Sequence, residues 1–190
     1  MKKSIQTKLA LYPMPLTIIG TMNEENPTWT LVAHIGVIGH DRILVSLAEP
    51  HFINHLIKKN GRLSVNLVTE EMLPEADMAG SLTGNNSDKS KLFAYELGEN
   101  GMPLIKRANL ILECQVDDIY PTPNFENFIC TIDHTYVEEN CLNESGKPDY
   151  TKVRPVLFEF PNYQYLQMGN VIGKCLSFQK KEEKLCQKVR

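Results

Sequence analysis

Short apolar segments separated by polar clusters make up most of this chain. In residues 62–68, Leu63, Val65 and Leu67 fall on one face and polar residues fall between them, which is the two-residue period of a β-strand. Other segments are rich in β-branched residues and bounded by Gly, Pro, Asn or Asp, as strands are. These further predicted strands cover residues 16–22, 28–38, 42–48, 110–117, 128–137 and 156–160.

Three short helical segments are predicted around these strands. Apolar residues recur at helical spacing in 52–57, and Gly61 stands where a C-terminal cap would fall. Thr69 is placed to cap a second helix, and residues 88–93 are expected to form one more helical turn. Short strands with few helices and no strict βα alternation favour a mainly β protein, a closed or nearly closed antiparallel barrel with short peripheral helices.

Two further features complete the predicted chain path. The segment 28–38 is long for one strand and is expected to bend at Gly36 or Gly39. The last residues, 180–190, are charged and carry no usable apolar stripe, which is typical of a solvated end.

Composition and charge narrow the class of protein. The chain has 190 residues, 42% hydrophobic and 23% charged, which predicts one ordinary globular domain. The net charge of -3 gives no broad basic surface, so nucleic acid is not an expected partner. No apolar run reaches the roughly 20 residues of a membrane helix. Because no signal peptide is recognisable, we expect a cytoplasmic protein without a membrane partner.

Metal and disulfide chemistry are not indicated. The five cysteines are an odd number and form no CxxC pair, so we expect reduced thiols. His51 and His55 are four residues apart and could chelate a metal, but no third ligand is evident and a solvent-facing pair is favoured. No nucleophile elbow, zinc signature or phosphate-binding glycine loop is present. No metal site is therefore predicted.

Several segments resemble the flavin reductase-like family, the FMN-binding split barrels, and especially its flavoredoxin branch. The resemblance extends from residue 12 to about residue 179 and rests on the order and spacing of several motifs. They are YPMPLT at 12–17, PTWTLVAHIG at 27–36, HFINHLIKKNG at 51–61 running into LSVN at 63–66, TG at 83–84, DKSKLF at 88–93, LEC at 112–114 and GNVIGK at 169–174. The resemblance implies an N-terminal extension at 1–11, a split-barrel domain at 12–179 and a C-terminal tail at 180–190.

The resemblance also implies an FMN site made by the residues that match these motifs. The expected cofactor-binding residues are Thr28, Thr30, His34, Leu47, Ala48, Phe52, Ile53, Asn54, Thr83, Ser87 and Lys89. An FMN phosphate needs a cation together with N–H and hydroxyl groups. Lys89 follows Ser87, a candidate N-cap, so it would lie beside the free N–H groups of a helical turn; the competing interpretation is a surface lysine.

Residues around the expected ring site have competing interpretations. Thr28 and Thr30 share one strand face, which is either a ligand-binding face or a solvated one. Trp29 points the opposite way and is expected in the core or at a dimer interface. Tyr163 and Tyr165 either cover the flavin ring or lie on the surface.

The function implied by the resemblance is electron transfer. NADH or NADPH would reduce the flavin, and the flavin would reduce a small-molecule or protein acceptor. No catalytic side chain is expected because the cofactor carries the chemistry. The resemblance also implies a homodimer with an FMN near each subunit interface.

Two alternatives remain open. The chain has Thr28, His34 and Ile53 where the flavoredoxin branch usually has Asn, Trp and Thr, and that branch often has a His near Phe125. A divergent, non-catalytic protein that binds flavin or another small anion is therefore the second hypothesis. A third is a pyridoxamine-phosphate-oxidase-like barrel, which would need a pair of arginines for a second phosphate. The candidates, Arg42, Arg62, Arg107 and Arg154, are scattered in the sequence.

Overall fold

The computed structural model describes residues 1–178 and shows a mainly β protein. Its strands are β1 (Met14–Pro15), β2 (Thr17–Asn23), β3 (Asn26–Val32), β4 (Ile35–Val37), β5 (Arg42–Ala48), β6 (Arg62–Leu67), β7 (Tyr95–Leu97), β8 (Pro103–Ile105), β9 (Leu110–Thr122), β10 (Phe125–Val137), β11 (Leu157–Glu159) and β12 (Gln164–Leu166). Its α-helices are α1 (Ile53–Asn60), α2 (Leu73–Ser81) and α3 (Tyr150–Val153), and 3-10 turns cover Glu70–Met72 and Glu139–Cys141.

Seven strands form one antiparallel sheet in the order β3-β2-β6-β9-β10-β5-β4. The two edge strands, β3 and β4, are consecutive in the chain and are joined only by Ala33 and His34. The sheet must therefore curl until its edges approach each other at this joint. The backbone N–H of Ser46 donates to the carbonyl of His34 at 2.9 Å, which ties the joint to β5.

The prediction of one strand over 28–38 is wrong in detail. The chain leaves the strand at Ala33 and His34, before either of the glycines at which a bend was expected. The reason is topological: β3 pairs with β2 and β4 pairs with β5, so the segment must change partners between them.

Trp29 lies in the core, on the face of β3 opposite Thr28 and Thr30. It is 1% exposed and packs edge-to-face against Phe93 at a ring-centroid distance of 5.6 Å. Gly20 on the neighbouring strand makes room for it, since a Cβ there would lie 2.4 Å from the Trp29 ring. The core interpretation of Trp29 is therefore confirmed within the described chain.

Two of the three predicted helices are present and the third is not. Helix α1 ends as expected at Gly61, whose φ is 65° and whose N–H donates to the carbonyl of Ile57. Thr69 makes no side-chain cap; a 3-10 turn follows it and leads into α2. Residues 88–93 form a turn and no helix, because the Asp88 carboxylate accepts the Ser90 N–H at 2.9 Å and so competes with helical hydrogen bonding.

A small second sheet, in the order β1-β11-β12, packs beside the barrel. We call residues 157–166, which contain β11, β12 and the turn between them, the strap. The Tyr165 hydroxyl donates to Asp77 on α2, and the Gln167 amide donates to Glu70 at 3.0 Å, so the strap is fastened to the α2 region.

Outside these elements, residues 1–11 form no helix or strand and are exposed. The expected C-terminal tail at 180–190 lies outside the described residues. Within residues 1–178, no helix combines the length and apolar character needed to cross a bilayer.

Candidate functional site

Three adjoining cavities form one cleft beside β3, between the start of α1, the end of α2 and the strap. The middle cavity, of about 270 Å³, shares Ala48, His51, Gly80 and Ser81 with a cavity of about 970 Å³. On its other side it shares Thr28, Phe52, Gly84 and Lys89 with a cavity of about 390 Å³. We call the region around Lys89 the basic end, and the region between His34 and the strap the aromatic end.

The structure brings together ten of the eleven expected site residues. Around the middle cavity and the basic end lie Thr28, Thr30, Ala48, Phe52, Ile53, Thr83, Ser87 and Lys89. The aromatic end includes His34 and Leu47. Asn54 lines none of these cavities, because its amide donates inward to the carbonyl of Ala48 and to the Glu126 carboxylate.

Lys89 is the only lysine or arginine that lines the cleft within residues 1–178. It is 6% exposed, and burial lowers the pKa of its ammonium group. Nζ donates to the carbonyls of Ala79 at 2.7 Å and Trp29 at 3.2 Å. A lysine ammonium has three N–H donors, so one of them is left for a ligand.

The position of Lys89 differs from both interpretations of the sequence, a lysine at a helix start and a surface lysine. Lys89 does not stand at the start of a helix; its ammonium lies at the C-terminal end of α2, where free carbonyls and the helix dipole favour a cation. It is not a surface lysine either. These two carbonyls hold a charge inside the cleft.

His51 is a cleft residue that the sequence analysis considered only as a metal ligand or as one of a solvent-facing pair. Its Nδ1 lies 3.2 Å from the Thr30 hydroxyl, and the ring lines both the middle cavity and the aromatic end. Burial, and after it the charge of Lys89, lowers the pKa of His51. The sequence could have indicated a cleft position for His51, because it precedes Phe52, an expected cofactor-binding residue, in the connection between β5 and α1.

Gly84 allows the loop after α2 to approach α1 closely. A Cβ at this position would lie 2.5 Å from Cδ1 of the Phe52 ring. Ile53 is only 2% exposed and packs in the core with Ile57 and Leu63, so it forms the floor of the middle cavity. The middle cavity is thus a narrow slot with an apolar floor, and it continues into the basic end.

Aromatic side chains dominate the opposite end of the cleft. His34 is half-buried with ring-centroid distances of 5.6 Å to Phe125 and 5.2 Å to Phe160, and burial lowers its pKa. The strap supplies Phe158, Phe160, Tyr163 and Tyr165. Both tyrosines therefore line the cleft, and Tyr163 does so while 70% exposed.

Two of the arginines that are scattered in the sequence meet in space. Arg107 and Arg154 line a separate cavity of about 560 Å³ together with Lys152. None of its lining residues lines the cleft, and Arg107 is paired with Glu75 at 2.7 Å. This cluster therefore adds no second phosphate-binding group to the cleft.

The structure does not place the side chains of His51 and His55 around a common metal position. His51 bonds Thr30, whereas the exposed His55 packs against the ring of Phe52 at a centroid distance of 4.7 Å. No group of three or more His, Cys, Asp or Glu side chains suited to a metal ion occurs in residues 1–178.

Solved structures of other proteins share this architecture over nearly their whole length. Flavoredoxin from Methanosarcina acetivorans has a TM-score of 0.89 and 30% identity, covering 96% of this chain and 99% of that one. Flavoredoxin of Desulfovibrio vulgaris (Miyazaki F) has a TM-score of 0.86 and 28% identity, covering 93% of this chain and 98% of that one. The predicted antiparallel split barrel is confirmed by this similarity.

Sequence comparison gives the same assignment. An Archaeoglobus fulgidus protein is 31% identical over 108 residues, a match that spans 55% of this chain and 60% of that relative, less than two thirds of its length. The family model described as "Flavin reductase like domain" matches residues 9–167, most of the chain. The chain therefore belongs to the flavin reductase-like domain family, as its motifs predicted.

Proposed function

We propose that this protein is an FMN-binding oxidoreductase that holds the cofactor in the cleft, with its phosphate at the basic end. The observation that carries the proposal is the position of Lys89. Its buried ammonium group has one N–H without a protein acceptor in residues 1–178 and faces a narrow slot, and this slot leads to the cavity with aromatic walls. A phosphate paired with a partly buried cation gains a strong charge-assisted hydrogen bond.

The residues present fit this cofactor. The hydroxyl of Thr28 lies on the same strand face as Thr30 and is available to the phosphate or ribityl chain. Gly84 lets the loop after α2 pack against Phe52, which keeps Thr83 and Ser87 of that loop at the cleft. When bound, FMN supplies reversible two-electron chemistry, and the chain's part is to bind it, orient it and limit its contact with water.

The electron donor in this proposal is NADH or NADPH, and the acceptor is a small molecule or a protein. No acidic or basic side chain of the cleft needs to act on the substrate, because hydride transfer requires only close, oriented rings. The wide aromatic end leaves one side of the cleft accessible for a second ligand.

The decisive experiment is a visible spectrum of the purified protein titrated with FMN, followed by anaerobic addition of NADH or NADPH. We expect a saturable shift of the flavin bands and then their bleaching. A shift without bleaching by either nucleotide would favour the second hypothesis, a flavin-binding protein without reductase activity. No spectral or fluorescence change on adding FMN would overturn the proposal.

We further propose that the protein is a homodimer. The edge strand β4 presents Val37, which is 82% exposed, and Ile38 follows at 50%. Val37 also lines an apolar cavity of about 340 Å³, together with Met14, Ile35 and Leu112, among others. Apolar surface of this kind at a sheet edge favours coverage by another protein surface.

A cytoplasmic location completes the proposal. The described cysteines Cys114, Cys130, Cys141 and Cys175 are free thiols. Burial raises the pKa of Cys130 to about 12, which keeps its thiol protonated and unreactive. Free thiols and a pyridine-nucleotide donor are both compatible with a reducing compartment.

A further inference from the structure

The strap walls the aromatic end of the cleft, which lies away from the proposed phosphate site. Phe160 and Tyr163 lie at a centroid distance of 4.9 Å, and Phe158 and Tyr165 at 5.7 Å. These four rings belong to one short segment and stand apart from the basic end. The cavity they line, about 970 Å³, lies at the upper end of the range of about 300–1,000 Å³ for ligand pockets.

Tyr163 is the most exposed ring of this wall. Its backbone has a φ of 57°, a region that glycine and asparagine adopt more readily than aromatic residues. The ring is 70% exposed although it lines the cavity. An aromatic face left open at a conformationally costly position is a surface on which a planar ligand can stack.

The charges around this end do not favour an ionic ligand. No lysine or arginine lines the cavity in the described part of the chain, and its carboxylate, Asp77, accepts the Tyr165 hydroxyl. Burial lowers the pKa of both His34 and His51, which favours their neutral forms. An anion placed here would lose hydration and gain no cationic partner.

Resting on the proposed function, we propose that the strap binds the electron acceptor and that the acceptor is an uncharged planar compound of the quinone class. Its rings stack on Tyr163 and Phe160 while the flavin occupies the remainder of the cleft. The overall reaction balances as NAD(P)H plus a proton plus quinone giving NAD(P)⁺ plus hydroquinone, the quinone gaining two electrons and two protons.

The test measures binding to the FMN-loaded protein without any reductant. The probes are 1,4-naphthoquinone and its 2-sulfonate, titrated by calorimetry against wild type, Tyr163→Ala and Tyr163→Phe. Tyr120→Ala is the control, since Tyr120 is a similarly exposed tyrosine that lines none of these cavities. The dissociation constant for FMN is measured on each variant in parallel.

We expect Tyr163→Ala to weaken naphthoquinone binding about three- to tenfold, with Tyr163→Phe and Tyr120→Ala close to wild type. The sulfonate should bind at least about tenfold more weakly than naphthoquinone. FMN affinity should be the same in all variants.

Three results would overturn the inference while the proposed function stands: no naphthoquinone binding, equal binding of the two probes, or no effect of Tyr163→Ala. Equal losses of FMN and naphthoquinone affinity in Tyr163→Ala would show that the strap holds the flavin itself, and would also overturn it. Failure of wild type to bind FMN would instead refute the proposed function.

Discussion

Lys89 is a buried cation whose surroundings explain why it can stay charged. Moving an ammonium away from water is costly unless hydrogen bonds replace the lost hydration. The carbonyls of Ala79 and Trp29 provide two such bonds, and the end of α2 adds a favourable dipole. A ligand phosphate would be the third hydrogen-bond acceptor of the Lys89 ammonium group. Folding and ligand binding therefore both depend on this side chain.

The variant Lys89→Met tests this role with little change in side-chain volume. We expect it to weaken FMN binding at least about tenfold, which corresponds to about 1.4 kcal/mol, because the phosphate loses its cation. Binding of riboflavin, which has no phosphate, should change much less. Flavin fluorescence titrations measure both affinities.

Lys91→Met is the matched control, since Lys91 is exposed and lines no part of the cleft. A thermal melt of each variant shows whether the fold is retained. Equal weakening of FMN and riboflavin binding by Lys89→Met would contradict a phosphate contact.

The two cleft histidines predict a pH dependence of stability. Burial lowers the pKa of His34 and His51 in the folded protein, so the unfolded chain binds more protons than the folded one near the ordinary histidine pKa. The free energy of unfolding should therefore fall as the pH decreases from about 7 to about 5. Urea unfolding at a series of pH values measures this slope.

The double variant His34→Phe, His51→Gln should show a flatter slope over the same range. Glu75 and Glu126, whose pKa values are lowered chiefly by hydrogen bonds from Arg107 and Lys58, contribute stability that is lost only at more acidic pH. An unchanged slope in the double variant would mean that other groups control this range.

At the scale of elements, a buried carboxylate joins the β7–β8 hairpin to the main sheet. Glu113 on β9 is 0% exposed, and its Oε1 accepts the N–H groups of Asn100 and Met102, both at 3.0 Å. Its Oε2 accepts the Tyr136 hydroxyl at 2.8 Å. Gly98 makes this approach possible, because a Cβ there would lie 2.7 Å from the carboxylate oxygens.

Glu113→Ala should destabilise the protein by about 3–5 kcal/mol, because two backbone N–H groups and a hydroxyl lose their buried partner. Chemical denaturation followed by circular dichroism measures the loss. Glu99→Ala, at a neighbouring exposed carboxylate, should change stability by less than about 0.5 kcal/mol. Similar effects for both variants would show that the Glu113 hydrogen bonds contribute little.

The elements that the sequence predicted correctly are those whose structure is determined by residues close together in the chain. Helix α1 and its cap at Gly61 follow from spacing and one glycine conformation, and both were predictable. The turn at 88–93 depends on one competing hydrogen bond, in which the Ser90 backbone N–H donates to the Asp88 carboxylate, and composition does not reveal it. The motif resemblance still directed attention to Lys89, although the helix it was expected to begin does not exist.

The strap was only half predicted. Its first strand was expected because of alternation at 156–160, but three-residue β12 has too few positions to show a period. Its place against α2 depends on contacts such as Tyr165 with Asp77, which are 88 residues apart in the chain. The aromatic end of the cleft therefore required the tertiary structure.

For the whole molecule, the main sheet accounts for both the barrel and the position of the cleft. Because β3 and β4 lie at opposite edges and are joined by two residues, the curled sheet brings His34 beside Phe125 on β10. The same closure leaves the short β4 as an edge strand with exposed Val37.

If copies of the chain associate through this edge, light scattering should give about twice the monomer mass of 21.6 kDa. Val37→Lys should shift the protein toward monomer by placing a hydrated charge on the apolar edge. Glu24→Gln, at an exposed turn between β2 and β3, makes the same +1 change in net charge and is the control. A strictly monomeric wild type, or dissociation by both variants alike, would contradict this interface.

The strap is attached to the barrel through the beginning of the chain. β11 pairs with the two-residue β1, and next to it the N–H of Leu16 donates to the carbonyl of Val156 at 2.9 Å. A shortened version that starts at β2 would keep all seven barrel strands and yet lose one of the two attachments of the strap, whose four rings line the cleft. A bulky affinity tag fused directly before Met14 would disturb the same pairing of β1 with β11. The placement of the tag can therefore decide whether ligand binding is observed.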